Sequence, residues 1–202
     1  MSGLHYLCFL QKLCFMEEDI KAACEIMNKG GVILYPTDTI WGIGCDATNP
    51  EAVKKVYEIK RRVDNKALLV LIDDDKNIDR YVRDIPEMAY TLNEISEKPV
   101  TIIYDNAYNL APNLLGDNNS VGIRITREEF SKALCRKFRR PVVSTSANIS
   151  GEPSAANFRE ISEEIKKSVD YIVRYRQDDT TPHQASSVIK LSADGTIKVL
   201  RP

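Results

Sequence analysis

The chain has 202 residues, 43% of them apolar, and its 28 Lys and Arg against 29 Asp and Glu leave a formal net charge of −1. One domain with one ordinary core is the default at this length, and the balance excludes a histone-like protein or a polyanionic tail, although a basic face can hide inside a neutral total. Five cysteines, at 8, 14, 24, 45 and 135, never fall in a Cys-x-x-Cys spacing, and the two histidines, His5 and His183, stand far apart, which excludes a disulfide framework and a dedicated metal site and points to a reducing, cytoplasmic setting.

Residues 4–16 are apolar, yet Gln11 and Lys12 interrupt them and no run reaches the roughly 18 to 20 residues that a membrane-spanning helix needs, so no membrane partner is expected. The stretch also lacks a basic lead-in and is followed by Glu17, Glu18 and Asp19, which is wrong for a secretion signal. A regular helical pattern starts straight after Met16. Residues 1–16 therefore read as an N-terminal extension upstream of the natural start, and 17–202 as the domain.

From 17 to 29 the apolar positions Ile20, Ala23, Cys24 and Met27 recur at helical spacing, and Gly30 and Gly31 supply the stop. Residues 32–35 read as a buried strand ended by Pro36, and 37–44 as a turn or short strand. Thr48, Asn49, Pro50 and Glu51 have the form of a capping box, so a helix should run to about Lys60 with Val53, Val56 and Tyr57 inward. Strands follow at 67–72, 100–104, 121–125 and 141–144. Helices are expected at 86–95, from a cap at Thr126 to Phe138, and at 157–168, with a long loop at 105–119. Further strands are expected at about 169–174, 186–191 and 197–200, the last two joined as a hairpin through Asp194 and Gly195. Strands and helices alternate without a linker or repeat, so the expected fold is a single α/β domain with a mixed sheet flanked by helices.

Three stretches combine hydroxyl, amide or basic side chains with turn residues at strand or helix ends, where α/β proteins place their sites. In the first, Thr37, Asp38 and Thr39 precede Trp41, Gly42 and Gly44; such a turn can present hydroxyls and bare N–H groups to a ligand, or its threonines can satisfy their own backbone. In the second, six cations and two anions lie between 54 and 66. That end suits phosphates, or it complements a helix dipole in solvent. In the third, Ser144, Thr145, Ser146, Asn148 and Ser150 lie within seven residues after a strand; they can wrap a phosphate, or form a structural turn. A serine hydrolase is less credible, because His183 would have to act as base with no oxyanion site in view.

Taken together, these residues resemble the YrdC/YciO family from about Ile20 to Arg201. The Pro-Thr-Asp-Thr turn at 36–39, the Lys-x-Arg at Lys60 and Arg62, the Ser-x-Asn at Ser146 and Asn148 with Ser150, Gly151, Glu152, Pro153 and Ser154 after it, and the closing Leu200, Arg201 and Pro202 stand in the family's order. The resemblance implies a YrdC-like twisted sheet with a concave basic groove and an enzyme that joins L-threonine, bicarbonate or CO2, and ATP into threonylcarbamoyl-AMP and pyrophosphate. The product would pass to the tRNA threonylcarbamoyl transferase machinery, which modifies the adenosine beside the anticodon. It implies Lys60, Arg62, Ser146 and Asn148 as catalytic residues; Arg62, Lys66, Ser120, Ser146, Ser154 and Arg201 around ATP; and Thr39, Arg124, Ser144 and Ser187 around threonine. Mg²⁺ would ride on the triphosphate, with no tightly bound cofactor and no metal site on the protein. Trp41 stands where the family usually has tyrosine, Val63 and Ala67 where it often has prolines, and Ser96, Glu97 and Lys98 replace its usual Trp-Pro-Gly. The second domain of longer relatives is not expected within these residues. The rival reading is a non-catalytic relative of the YciO branch that binds tRNA or double-stranded RNA through 54–66 and 136–140.

Overall fold

Between Gly3 and Asn28 the sequence has no glycine or proline to interrupt a helix, and in the computed structural model, which describes residues 3–62, 68–192 and 195–202, helix α1 spans Gly3–Asn28 without a break at Met16. The expected start after Met16 is therefore too late: the stripe of Ile20, Ala23, Cys24 and Met27, all buried, marks a core-facing stretch and not where the helix begins. Its end is as expected. The Gly31 N–H reaches the Ile26 carbonyl at 2.9 Å and the Gly30 N–H the Met27 carbonyl at 3.0 Å, with Gly30 at φ 74°, the left-handed cap that glycine adopts most readily.

The strands are β1 Ile33–Tyr35, β2 Gly42–Gly44, β3 Leu69–Ile72, β4 Val100–Tyr104, β5 Val121–Ile125, β6 Val142–Ser146, β7 Tyr171–Ile172, β8 Ser187–Leu191 and β9 Ile197–Arg201. They form one mixed sheet in the order β7-β1-β2-β6-β3-β5-β4-β8-β9. The pairs β1/β7, β3/β5 and β4/β8 are parallel. The other pairings, including the hairpin of β8 and β9, are antiparallel; of its turn, Asp194 lies outside the described residues. Close packing at the sheet centre demands glycine at 44, where a Cβ would come within 2.5 Å of the Tyr35 ring and 2.6 Å of the Val143 carbonyl oxygen.

The remaining helices are α2 Pro50–Ile59, α3 Glu87–Ile95, α4 Glu129–Phe138 and α5 Glu163–Ser168. Val53, Val56 and Tyr57 of α2 are buried as expected, but its cap is Asn49, whose side chain accepts from the Glu51 and Ala52 N–H groups. Thr48 instead binds Asp46 Oδ1 through both its hydroxyl and its N–H. Likewise α4 is capped by Glu128, which accepts from Ser131 N–H at 2.7 Å, while the Thr126 hydroxyl pairs with that of Ser131 at 2.6 Å. The expected helix at 157–168 is split. Asn157 caps a 3-10 turn at Phe158–Glu160, and Ser162 restarts the chain as α5 by accepting from Ile165 N–H.

Helix α1 is tied to the sheet edge through Asp19, which is fully buried. One carboxylate oxygen accepts from the Tyr171 hydroxyl at 2.7 Å and Arg174 Nε at 2.8 Å; the other accepts from the Arg174 and Tyr175 N–H groups, each at 2.8 Å. Four donors on one carboxylate offset the cost of burying it.

Candidate functional site

Because β6 runs antiparallel to both β2 and β3, its C-terminal residues meet the start of β3 and the start of β2: Ser144 is opposite Leu69, and Ser146 opposite Gly42. Helix α2 ends at the same place and delivers Lys60 and Arg62. The result is a cavity of about 340 Å³ at one end of the central strands. Arg62, Arg124 and Arg201 line it together with Thr39, Ser120, Ser144, Ser146 and Ser154, and its apolar wall includes Trp41, Leu68, Leu69 and Val188. Eight residues nominated from the sequence thus share one wall.

Lys60 does not line that cavity. It lies behind the Ser146–Asn148 turn, 2% exposed, where Nζ donates to the Ser146 carbonyl at 2.6 Å and the Asn148 carbonyl at 2.8 Å and lies 3.5 Å from the Ser146 hydroxyl. The Ser150 N–H closes back onto the Lys60 carbonyl at 3.0 Å. With its carbonyls drawn onto an ammonium, the turn keeps its hydroxyl for the cavity. Burial, and secondarily Arg62, push the Lys60 pKa down to about 8. Asn148 faces a smaller neighbouring cavity that also borders Ser154; its amide donates to the Ile149 and Glu152 carbonyls, and its buried Oδ1 has no partner among the described residues.

Arg124 is 3% exposed and its Nε lies 3.0 Å from Asp38 Oδ1, an ion pair angled away from a hydrogen bond, while Nη2 donates to Thr37 Oγ1 at 3.5 Å. It is thus neither a free carboxylate clamp nor a surface ion pair. Burial raises the Asp38 pKa and Arg124 opposes that shift. In the same turn Thr37 satisfies the Thr39 N–H and donates to the Ile40 carbonyl, so Thr37 is structural and Thr39 is the threonine on the wall. Across the cavity, Arg201 Nε donates to the Ser186 carbonyl at 2.8 Å. Its pKa is lowered by burial first and by Arg124 second.

Ser187 is not on the wall. Alternation along β8 puts Ser186 and Val188 toward the cavity and Ser187 on the other face, half-buried. Lys66, Val63 and Ala67 lie outside the described residues. The rest of the basic run is explained by structure: Lys54 pairs with Glu58, Lys55 donates to the Gly30 carbonyl, and Arg61 pairs with Glu164. His183 contacts Arg176 and Asp179 rather than a serine hydroxyl. Trp41, 5% exposed, packs on Phe158 with ring centroids 4.8 Å apart, so the indole is held as a rigid cavity wall.

Sequence reasoning missed Ser186 and the role of Asp38. Two adjacent serines carry no alternation signal of their own, whereas an acid in a turn beside a buried strand arginine was a usable one. Among the described residues no group of three or more His, Cys, Asp or Glu is placed to hold a metal, and no helix is long and apolar enough to cross a membrane.

Compared with known proteins, residues 25–202 match the family model described as Sua5_yciO_yrdC, Telomere recombination. A threonylcarbamoyl-AMP synthase of Pseudoalteromonas translucida is 34% identical over 161 residues, covering 78% of this chain and 86% of the relative. One of Idiomarina loihiensis is 32% identical over 158 residues, covering 77% and 85%. Among solved structures, P. abyssi Sua5 complexed with L-threonine superposes with a TM-score of 0.80 at 26% identity, over 91% of this chain and 53% of that one. E. coli YciO gives 0.79 at 25%, over 92% and 89%. The chain therefore spans about half the length of the Sua5 structure and most of the two synthases.

Proposed function

This chain belongs to the Sua5/YciO/YrdC family, and from that premise we propose that it is a threonylcarbamoyl-AMP synthase, forming threonylcarbamoyl-AMP and pyrophosphate from L-threonine, bicarbonate or CO2, and ATP. The observation that carries the reading is the shared cavity: three guanidinium groups and a ring of hydroxyls, with Lys60 behind them and one carboxylate, Asp38, in the turn beside them. The pKa values of Lys60 and Arg201 are lowered by burial and by a neighbouring cation. Groups so crowded are stabilised when a polyanion enters. The names of the two bacterial synthases and the L-threonine complex of P. abyssi Sua5 support the same substrates.

Carboxylation of the threonine amine forms an N–C bond, releasing a proton when CO2 is the carbon source or water when bicarbonate is, and it needs no protein nucleophile. A carbamate oxygen then attacks the α-phosphorus, the bond to the β-phosphate oxygen breaks, and the electron pair leaves with pyrophosphate. Two anions must approach each other, so the barrier is lowered by positioning and by fixed positive charge. In this assignment Arg124 with Thr39 and Ser144 holds the amino-acid end. Arg62, Ser120, Ser146, Ser154 and Arg201 hold the nucleotide, joined by Lys66, with Asn148 beside the phosphates. The wall supplies hydroxyls and cations, which fits Mg²⁺ arriving on the triphosphate, where it would neutralise charge. The product is a reactive mixed anhydride, so a transferase acting on tRNA adenosine is its natural consumer.

The test is incubation with ATP, L-threonine and bicarbonate while pyrophosphate is measured. Threonine-dependent release is expected. ATP loss indifferent to threonine would indicate a nucleotide hydrolase, and salt-sensitive RNA binding with no release would favour the non-catalytic rival.

A further inference from the structure

The sequence run at 136–140 is not used by the synthase site, yet it builds a second basic cavity of about 330 Å³. The strands that carry the first cavity carry this one at their other ends. Leu69 lines the first and Ile72 the second, roughly 10 Å apart at 3.3 Å per residue of strand; Pro141, just ahead of β6, lies on the second, and Ser144, Thr145 and Ser146 on the first.

Arg80, Arg136, Arg139 and Arg140 line it with Asn77 and Asp73. Arg140 is fixed, 3.0 Å from the buried Asp46 carboxylate and stacked over the Phe138 ring. Asp73 accepts from Asn77 Nδ2 at 3.1 Å and lies 3.7 Å from Nε of Arg136, whose side chain is 70% exposed. Neither Arg80 nor Arg139 forms an ion pair among the described residues, so four cations face two carboxylates. Arg139 also caps α4 in the left-handed region at φ 60°, a strained position where glycine or asparagine is usual.

We propose that this cavity is a second anion site, separate from the synthase cavity, that binds a phosphate group through the guanidiniums of Arg80, Arg136 and Arg139. Planar forks converging on one dent suit phosphate oxygens, whether of free pyrophosphate or of an RNA phosphodiester. Arg140, held by Asp46 and by the Phe138 ring, forms a fixed part of its wall, and Asn77 offers a further donor.

Residue-resolved NMR of the full chain tests this, with sodium pyrophosphate and a short RNA duplex as separate probes. Signals from 77–81 and 136–140 should shift saturably with at least one of them. The Arg80→Gln/Arg139→Asn variant, which keeps a residue tolerant of left-handed φ, should weaken that binding at least about tenfold, as loss of a charge-assisted hydrogen bond does, with threonine-dependent pyrophosphate release unchanged. Should that variant fold poorly, the exposed Arg136→Glu should give the same loss. Shifts with pyrophosphate identify a small-anion site, and shifts with the duplex alone identify a phosphodiester contact. Signals unmoved by both probes, or shifts equal in wild type and variants, overturn the proposal. A chain without synthase activity that still shows these shifts keeps the site and loses only the synthase reading.

Discussion

Lys60 holds its proton less tightly than an ordinary lysine, at about 8 rather than 10.5, because it is buried and Arg62 is near. Between those values the folded chain binds fewer protons than the unfolded one, so this group's contribution makes stability rise with pH across that window. An entering polyanion acts the other way and raises the folded value. ATP binding near pH 8 should therefore take up a proton, visible as a dependence of the calorimetric heat on buffer ionisation. Lys60→Met should abolish the uptake, and equal heats in all buffers would refute the assignment. On the wall itself, Arg62→Ala and Ser146→Ala should each lower threonine-dependent turnover by at least about tenfold with the thermal midpoint unchanged, as loss of a transition-state donor does. Parallel losses of stability and turnover would instead make them structural. Motif order alone brought Arg62, Ser146 and Arg201 into view. It could not show that Lys60 works from behind the turn, since that depends on where the Ser146 and Asn148 carbonyls point.

At the scale of elements, short runs rich in β-branched residues made β4 and β5 legible to the residue. Caps were less so, because Thr48 and Asn49 are neighbours, Thr126 and Glu128 lie two positions apart, and only the hydrogen bonds choose between them. Helix α1 was cut short for a different reason: apolar periodicity reports a core-facing stripe and does not by itself mark where a helix begins. The buried Asp19 clamp was invisible, since its partners lie more than 150 positions away in sequence. Its removal should matter. Asp19→Asn sets an amide N–H group against donors that need an acceptor and should cost about 3 kcal/mol in a urea titration, and a loss below about 0.5 kcal/mol would show that the clamp adds little.

For the whole molecule, a formal charge of −1 conceals two cavities rich in arginine at opposite ends of β3. Composition sums over the surface and cannot show this; only the sheet order, which brings β6 between β2 and β3, gathers residues from 39 to 201 around one hollow. That order also explains why a sequence pattern of separate short motifs reads as one site. Among the described residues strand β9 pairs only with β8, and Ile197, Val199 and Leu200 on it are exposed.

Arg201 belongs to that outermost strand, yet its guanidinium completes the cavity wall. Fraying of the hairpin and loss of nucleotide affinity are then one equilibrium seen from two sides, and whatever holds ATP must also hold the strand down. Amide hydrogen exchange along β9 should slow when ATP is bound, more than in the sheet interior, and an Arg201→Ala chain should lose that protection while keeping its exchange pattern elsewhere.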